Sequence, residues 1–212
     1  MTQVKRAYDS SGRRAQGRAR RLAVLRAAQE LFERDGFRAT TIAGVAARAG
    51  VSDKFVYNGF GTKAALAKAV FDVVIAGDDE DVPVARRPEA LTIQAEPDVR
   101  RKIALYADGL AQRIERSAKV QMLIRDGRHV DDTLEPVWRA LTGEALTGAT
   151  MLGQHLLDTG RLRPDLDLDQ VRDLLWNYMA VDHYERLVLD RGWSRERYAQ
   201  WLADAVSAAI CP

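Results

Sequence analysis

Cysteine is almost missing: the 212-residue chain has one, Cys211, next to its last position. A lone thiol closes no intrachain disulfide and builds no cysteine zinc site, and such usage fits a reducing cytoplasm. Histidine is scarce as well. His129, His155 and His183 lie far apart, and none stands in an HExxH spacing. There is no glycine-rich phosphate loop, and Asp131-Asp132 lacks the spacing of a calcium loop. No catalytic constellation, metal site or cofactor is therefore expected, and the chain reads as a non-enzyme. No uninterrupted apolar run reaches the roughly 18 residues of a membrane span. Residues 1–17 lack the apolar core of a secretory signal. Prolines number only six while apolar residues make up 47%, the composition of a folded globular protein.

What the chain does have is segregated charge. Residues 1–63 carry 13 Lys and Arg against 5 Asp and Glu, whereas the remainder is net acidic. A basic end on an acidic body points to a polyanionic partner at that end only. The run from Arg13 to Arg21 reads as a basic flexible arm over residues 1–17, either touching DNA phosphates or a minor groove, or serving only as a solubilising tail.

The periodicity is helical throughout, with no convincing strand alternation and no internal repeat. A first helix is expected from about Arg18, with Leu25, Ala28 and Phe32 on one face and Gly36 as its stop. Thr41 is an N-cap for Ile42, Val45, Ala46 and Ala49, and Gly50 falls where a helix end needs the left-handed conformation. Ser52 caps a second short helix, with Asp53 at its positive end. That helix carries one inward valine, Val56, under a polar face of Asp53, Lys54, Tyr57 and Asn58. A hairpin packed in a core would show a fuller apolar stripe; this pattern is that of a helix-turn-helix that reads DNA. Thr62 caps a further helix carrying Leu66, Val70, Val73 and Val74.

Beyond it, Gly77 to Pro83 is acidic and helix-breaking, and a loop with one short helical turn is expected up to Pro97. Helical patterns follow over Ile103 to Ile114, then Lys119 to Arg128 as a separate shorter helix, then Pro136 to Leu157. Asp167, with Gln170 as its capping-box partner, starts a helix apolar on more than one face, which extends to include His183. Ser194 caps the last, whose stripe is Tyr198, Trp201, Leu202 and Ala205.

Thr40-Thr41-Ile42, Val45-Ala46, Ala49-Gly50-Val51-Ser52, Val56-Tyr57, Phe60, Lys63 and Leu66, with the upstream Leu31-Phe32-Glu33-Arg34-Asp35-Gly36-Phe37, resemble the TetR (tetracycline-repressor-like) family of transcriptional regulators over about residues 20–75. The resemblance implies an all-α chain. It has an N-terminal three-helix helix-turn-helix DNA-binding domain (18–62) and a larger C-terminal helical ligand-binding and dimerisation domain (63–212), entered by a connecting helix (63–75). It also implies a homodimer on a palindromic operator, a repressor released by a small-molecule effector. Two positions depart from the family pattern. Gly59 stands where an aromatic or histidine usually helps hold a phosphate, and Phe55 where a small hydroxyl residue is usual.

Candidate phosphate contacts are the hydroxyls and helix ends of Thr41 and Ser52, together with Lys63. Lys54 is the candidate for guanine O6 or N7. Tyr57 contacts phosphate or base, or is half-buried with a wet tip. Asp53 accepts from cytosine N4 or only complements the helix dipole; Asn58 pairs with adenine or frays the helix end; Phe55 meets a thymine methyl or packs inward. In the C-terminal domain, Tyr106, Met122, Arg125, Trp138, Met151, His155, Trp176 and Met179 are candidate ligand-lining residues, each with plain core packing as its alternative. The resemblance places a dimer interface on the last two helices, through Val171, Leu174, Leu175, Tyr178, Tyr198, Trp201, Leu202 and Ala205; a buried monomer core would look the same. The competing functional reading is a small-molecule-binding helical protein with weakened or lost DNA binding.

Overall fold

The computed structural model describes residues 10–78 and 86–212, in two compact units, residues 1–70 and 71–212. Among the described residues every regular element is helical.

The N-terminal unit begins with α1 (Ser10–Ala39), interrupted at Gly36, whose φ of 80° is a conformation other residues rarely adopt. The basic segment expected to be flexible through Gly17 is thus helical from Ser10; arginine, alanine and glutamine propagate a helix well enough to carry two glycines. Residues 1–9 of that expected arm lie outside the described residues. Next come α2 (Ile42–Ala49), α3 (Asp53–Phe60) and α4 (Lys63–Ala76), whose last turns, from Phe71 on, belong to the second unit. Val24, Leu25, Ala28, Phe32, Val45, Ala46, Val56 and Leu66 are buried, and Phe32 stacks on Phe37. The Thr62 hydroxyl accepts from Ala65 N, capping α4, and Gly77 closes it at φ 87°.

The acidic loop expected after Gly77 falls mostly on residues 79–85, outside the described residues. Further on, the expected loop is instead α5 (Pro88–Ala95), because Pro88 has its φ preset for a first helical turn and Glu89 complements the dipole. The two shorter helices expected between Pro97 and Arg128 are a single helix, α6 (Val99–Gly127), capped by Asp98. After a 3₁₀ turn at Asp132–Leu134 come α7 (Glu135–Leu157) and α8 (Leu168–Tyr178), the latter started by the Asp167–Gln170 capping box. The chain then breaks at Ala180, with no glycine or proline to signal it, so His183 lies on a separate short helix. This is α9 (Val181–Tyr184), running into a wide π turn at Glu185–Asp190. Ser194 caps α10 (Arg195–Ile210).

Two apolar clusters organise this unit. In one, Ala107, Leu110, Ala111 and Ile114 of α6 meet Tyr198, Leu202 and Ala203 of α10, with Val181 and Tyr184 of α9. Tyr184 and Tyr198 meet edge to face at 5.4 Å, the favoured aromatic geometry. In the other, Ala149 and Leu156 of α7 pack with Val171 and Leu175 of α8, Val99 and Ile103 of α6, and Val206 and Ile210 of α10.

Candidate nucleic-acid interface

The α2–α3 unit is held by short-range hydrogen bonds. The Thr41 hydroxyl accepts from Gly44 N at 3.0 Å and the Ser52 hydroxyl from Phe55 N at 3.2 Å, each satisfying a donor the helix start leaves free. Gly50, at φ 68° and ψ 36°, turns the chain between them. Its N–H bonds Ala47 O while Val51 N bonds Ala46 O, a Schellman closure. Val56 is fully buried, which settles how α3 is rotated. Asp53, Lys54, Tyr57, Asn58 and Gly59 are then exposed together, and Phe55 is half-buried, at the edge of that face. Tyr57, expected either wet or half-buried, is 54% exposed. A helix of this diameter with a polar outer face fits a major groove.

Lys63 has an internal task. Its ammonium donates to the carbonyls of Phe37 at 2.8 Å, Thr40 at 3.0 Å and Arg38 at 3.4 Å, and lies 4.3 Å from the centre of the Phe37 ring. It ties the start of α4 to the segment that leads into α2. Arg21, the last residue of the basic run, is instead engaged with α3. Its guanidinium donates to Gly59 O at 3.4 Å and covers the Phe60 ring at 4.4 Å, placing a positive charge at the carbonyl end of α3. The signal was present, since Arg21 extends the Leu25, Ala28 and Phe32 stripe by one turn at helical spacing. Around Gly59 there is open space: a Cβ built there meets nothing within 4 Å.

Residues 24–70 match the sequence profile of "Bacterial regulatory proteins, tetR family". The fold is similar to that of NalD, the secondary repressor of the MexAB-OprM multidrug efflux pump in Pseudomonas aeruginosa. That match has a TM-score of 0.68 and 19% identity, covering 93% of this chain and 98% of that one. It is similar too to FadR, a transcriptional regulator from Bacillus subtilis in complex with stearoyl-CoA, at TM-score 0.71 and 16% identity over 89% and 98%. No protein of curated function matches. The N-terminal unit is a tetR-family unit on a chain with the TetR fold.

Within the TetR fold, the expected ligand-lining residues do not converge on one place. Tyr106, Met122 and Met179 pack at the edge of the α6–α10 cluster. Arg125 is bound by Asp126 at 2.8 Å, Asp182 at 3.0 Å and Glu185 at 2.8 Å, and these carboxylates raise its pKa further above the arginine value. Trp138 lies under Arg128 at 5.0 Å, while Met151 and Trp176 are surface residues, 55% and 41% exposed. Trp176 Nε1 donates to Thr142 O. His155 meets Lys102 at 2.6 Å; an ammonium only donates, so imidazole Nε2 accepts. Lys102 also donates to Gln94 O at 3.0 Å, and burial holds its pKa below the ordinary lysine value.

The expected dimer residues divide as well. Val171, Leu175, Tyr198 and Leu202 are buried inside the chain's own clusters. Leu174, Tyr178, Trp201 and Ala205 are partly exposed, with Tyr178 and Trp201 meeting edge to face at 5.7 Å. No group of three or more potential metal-ligating side chains occurs among the described residues, and none of the described helices is long and apolar enough to cross a membrane.

Proposed function

We propose that the protein is a cytoplasmic transcriptional regulator that binds a palindromic DNA operator as a homodimer and is released from it by a small-molecule effector. The observation that carries this reading is α3. Val56 alone is buried, and Lys54, Tyr57 and Asn58 stand outward on a helix capped at its start and turned by Gly50. Lys54 reads guanine; Tyr57 and Asn58 contact phosphate or base; the Thr41 and Ser52 helix ends hold phosphates. Lys63 positions the unit through the carbonyls that it binds. Two-fold symmetry would set two such helices in successive major grooves. That NalD is a repressor and that FadR is seen with stearoyl-CoA supports repression and effector binding as the regulatory mode. Effector must bind the released state better than the DNA-bound one, or nothing shifts.

The second reading, a helical ligand binder with decayed DNA contacts, rests on Gly59, which supplies no side chain where the family pattern has a phosphate contact. A gel-shift titration of DNA flanking the protein's own gene, at two salt concentrations, separates the two. The regulator shows selective binding that weakens with salt and is lost in Lys54→Ala and Tyr57→Ala. Equal binding to all fragments, or to none, favours the second reading.

A further inference from the structure

Most arginines of the C-terminal unit that meet a partner meet a carboxylate. Arg87 meets Asp78, Arg125 meets Asp126, Asp182 and Glu185, and Arg195 meets Asp108 and Glu115. Arg113, midway along α6, is different. Among the described residues no carboxylate stands within ion-pairing distance of it, and its side chain is half-buried beside Tyr106, two turns earlier on the same face, 5.8 Å from the ring centre. The Tyr106 hydroxyl is sealed from solvent and finds no acceptor for its proton, and the one group that favours its ionised form is the Arg113 guanidinium, which can only donate. Between them stands Gly109. A Cβ built on it falls 3.1 Å from Arg113 Nη1, so this glycine, costly inside a long helix, leaves the space into which the guanidinium folds back. Burial raises the Tyr106 pKa to about 12, and burial lowers that of Arg113, an effect that the Tyr106 phenol and the Glu89 carboxylate beyond ion-pairing distance only partly offset.

The half-buried guanidinium and the sealed phenol hydroxyl lack one partner in common, an acceptor. We propose that Tyr106, Gly109 and Arg113 form a seat for the carboxylate of a small organic anion, which acts as the effector of the regulator proposed above and so rests on that reading for its regulatory meaning. One fork of guanidinium donors plus one hydroxyl suits a planar monoanion. A phosphate dianion calls for more donors, and the nearest further cation on α6, Arg116, is engaged: it donates to Val74 O at 3.3 Å and Ile75 O at 3.1 Å. Those carbonyls belong to the last turns of α4. An anion settling one turn from Arg116 competes for its charge and loosens its hold on α4.

Titration calorimetry on the full chain, without DNA, tests the seat with acetate, benzoate and octanoate as probes, against octan-1-ol and inorganic phosphate. At least one carboxylate binds while octan-1-ol and phosphate do not, and Arg113→Gln and Tyr106→Phe each weaken that binding by about tenfold or more. Tyr106→Phe also leaves the melting temperature of the free protein unchanged or raises it, because it removes an unpaired buried hydroxyl; a hydroxyl with a structural role would lower it. The proposal is overturned if no carboxylate binds the folded chain, if the alcohol binds equally, or if both variants bind as the wild type does. Carboxylate binding in a protein with no operator sinks only the regulator reading, and operator binding with no carboxylate binding sinks only the seat.

Discussion

Lys54 and Arg125 are both cations on helices, yet they differ in what surrounds them. Lys54 stands on the exposed face of α3 beside Tyr57 and Asn58, in a unit where basic residues outnumber acidic ones. Arg125 is 15% exposed and tied to three carboxylates from α6, α9 and the π turn after it. One side chain is available to a partner; the other holds the fold. The difference shows that charge composition alone does not locate a binding surface. What matters is whether the neighbouring helices supply a counter-ion.

That contrast can be broken at its strongest point by Lys54→Glu. DNA affinity should fall by about 100-fold if the proposed guanine contact holds, since that contact is lost and a phosphate-repelling charge is added. The melting temperature should hold, as expected for a solvent-facing site. Loss of stability alongside affinity would mean that Lys54 is structural. Arg125→Ala should do the reverse. Three carboxylates left facing one another cost about 1–3 kcal/mol in denaturant unfolding, with operator binding by the folded protein unchanged. An unchanged midpoint would show that this cluster contributes no more than a solvated surface pair.

Buried tyrosines sharpen the comparison through pH. Tyr106 is raised to about 12 by burial, and Tyr184 and Tyr198 are raised as well, chiefly by burial. A folded-state pKa above the unfolded one contributes stability that is present below about pH 10 and is lost as pH climbs through 10 to 12. Ultraviolet titration of the native chain should therefore find these hydroxyls ionising later than in denaturant, and Tyr106→Phe should reduce the alkaline loss of stability. The smallest effect belongs to Gly59. With open space around it, Gly59→Ala should stabilise the protein by about 0.5–1 kcal/mol through helix propensity, and Gly59→His should in addition tighten DNA binding a few-fold. Weaker binding in Gly59→His would mean that the bare backbone at this position approaches the DNA.

Legibility followed the range of the interaction. Thr41, Ser52, Asp167 and Ser194 all cap helices as their neighbours within three residues imply, and Gly36 and Gly50 take the positive φ that their places demand. The merging of residues 99–127 into one helix was not legible, nor was the break at Ala180, where helix formers continue on both sides. The candidate site in the N-terminal unit could be read because caps, turn and outward face lie within about twenty residues. Tyr198 and Leu202 could not be assigned to a core or to an interface, since an apolar stripe looks alike against either. In the folded chain both pack against Leu110, Ala111 and Ile114 of α6.

The order of residues from Thr41 to Phe60 was enough to determine the helix-turn-helix, because caps and left-handed glycines act within four residues of themselves. Whether an arginine meets a carboxylate is a different kind of fact. Arg125 finds Asp182 and Glu185 only because α6 packs on α9, and Arg113 finds none. Pairing across more than fifty residues depends on how helices stack, so it was the tertiary structure that decided which charges found a counter-ion.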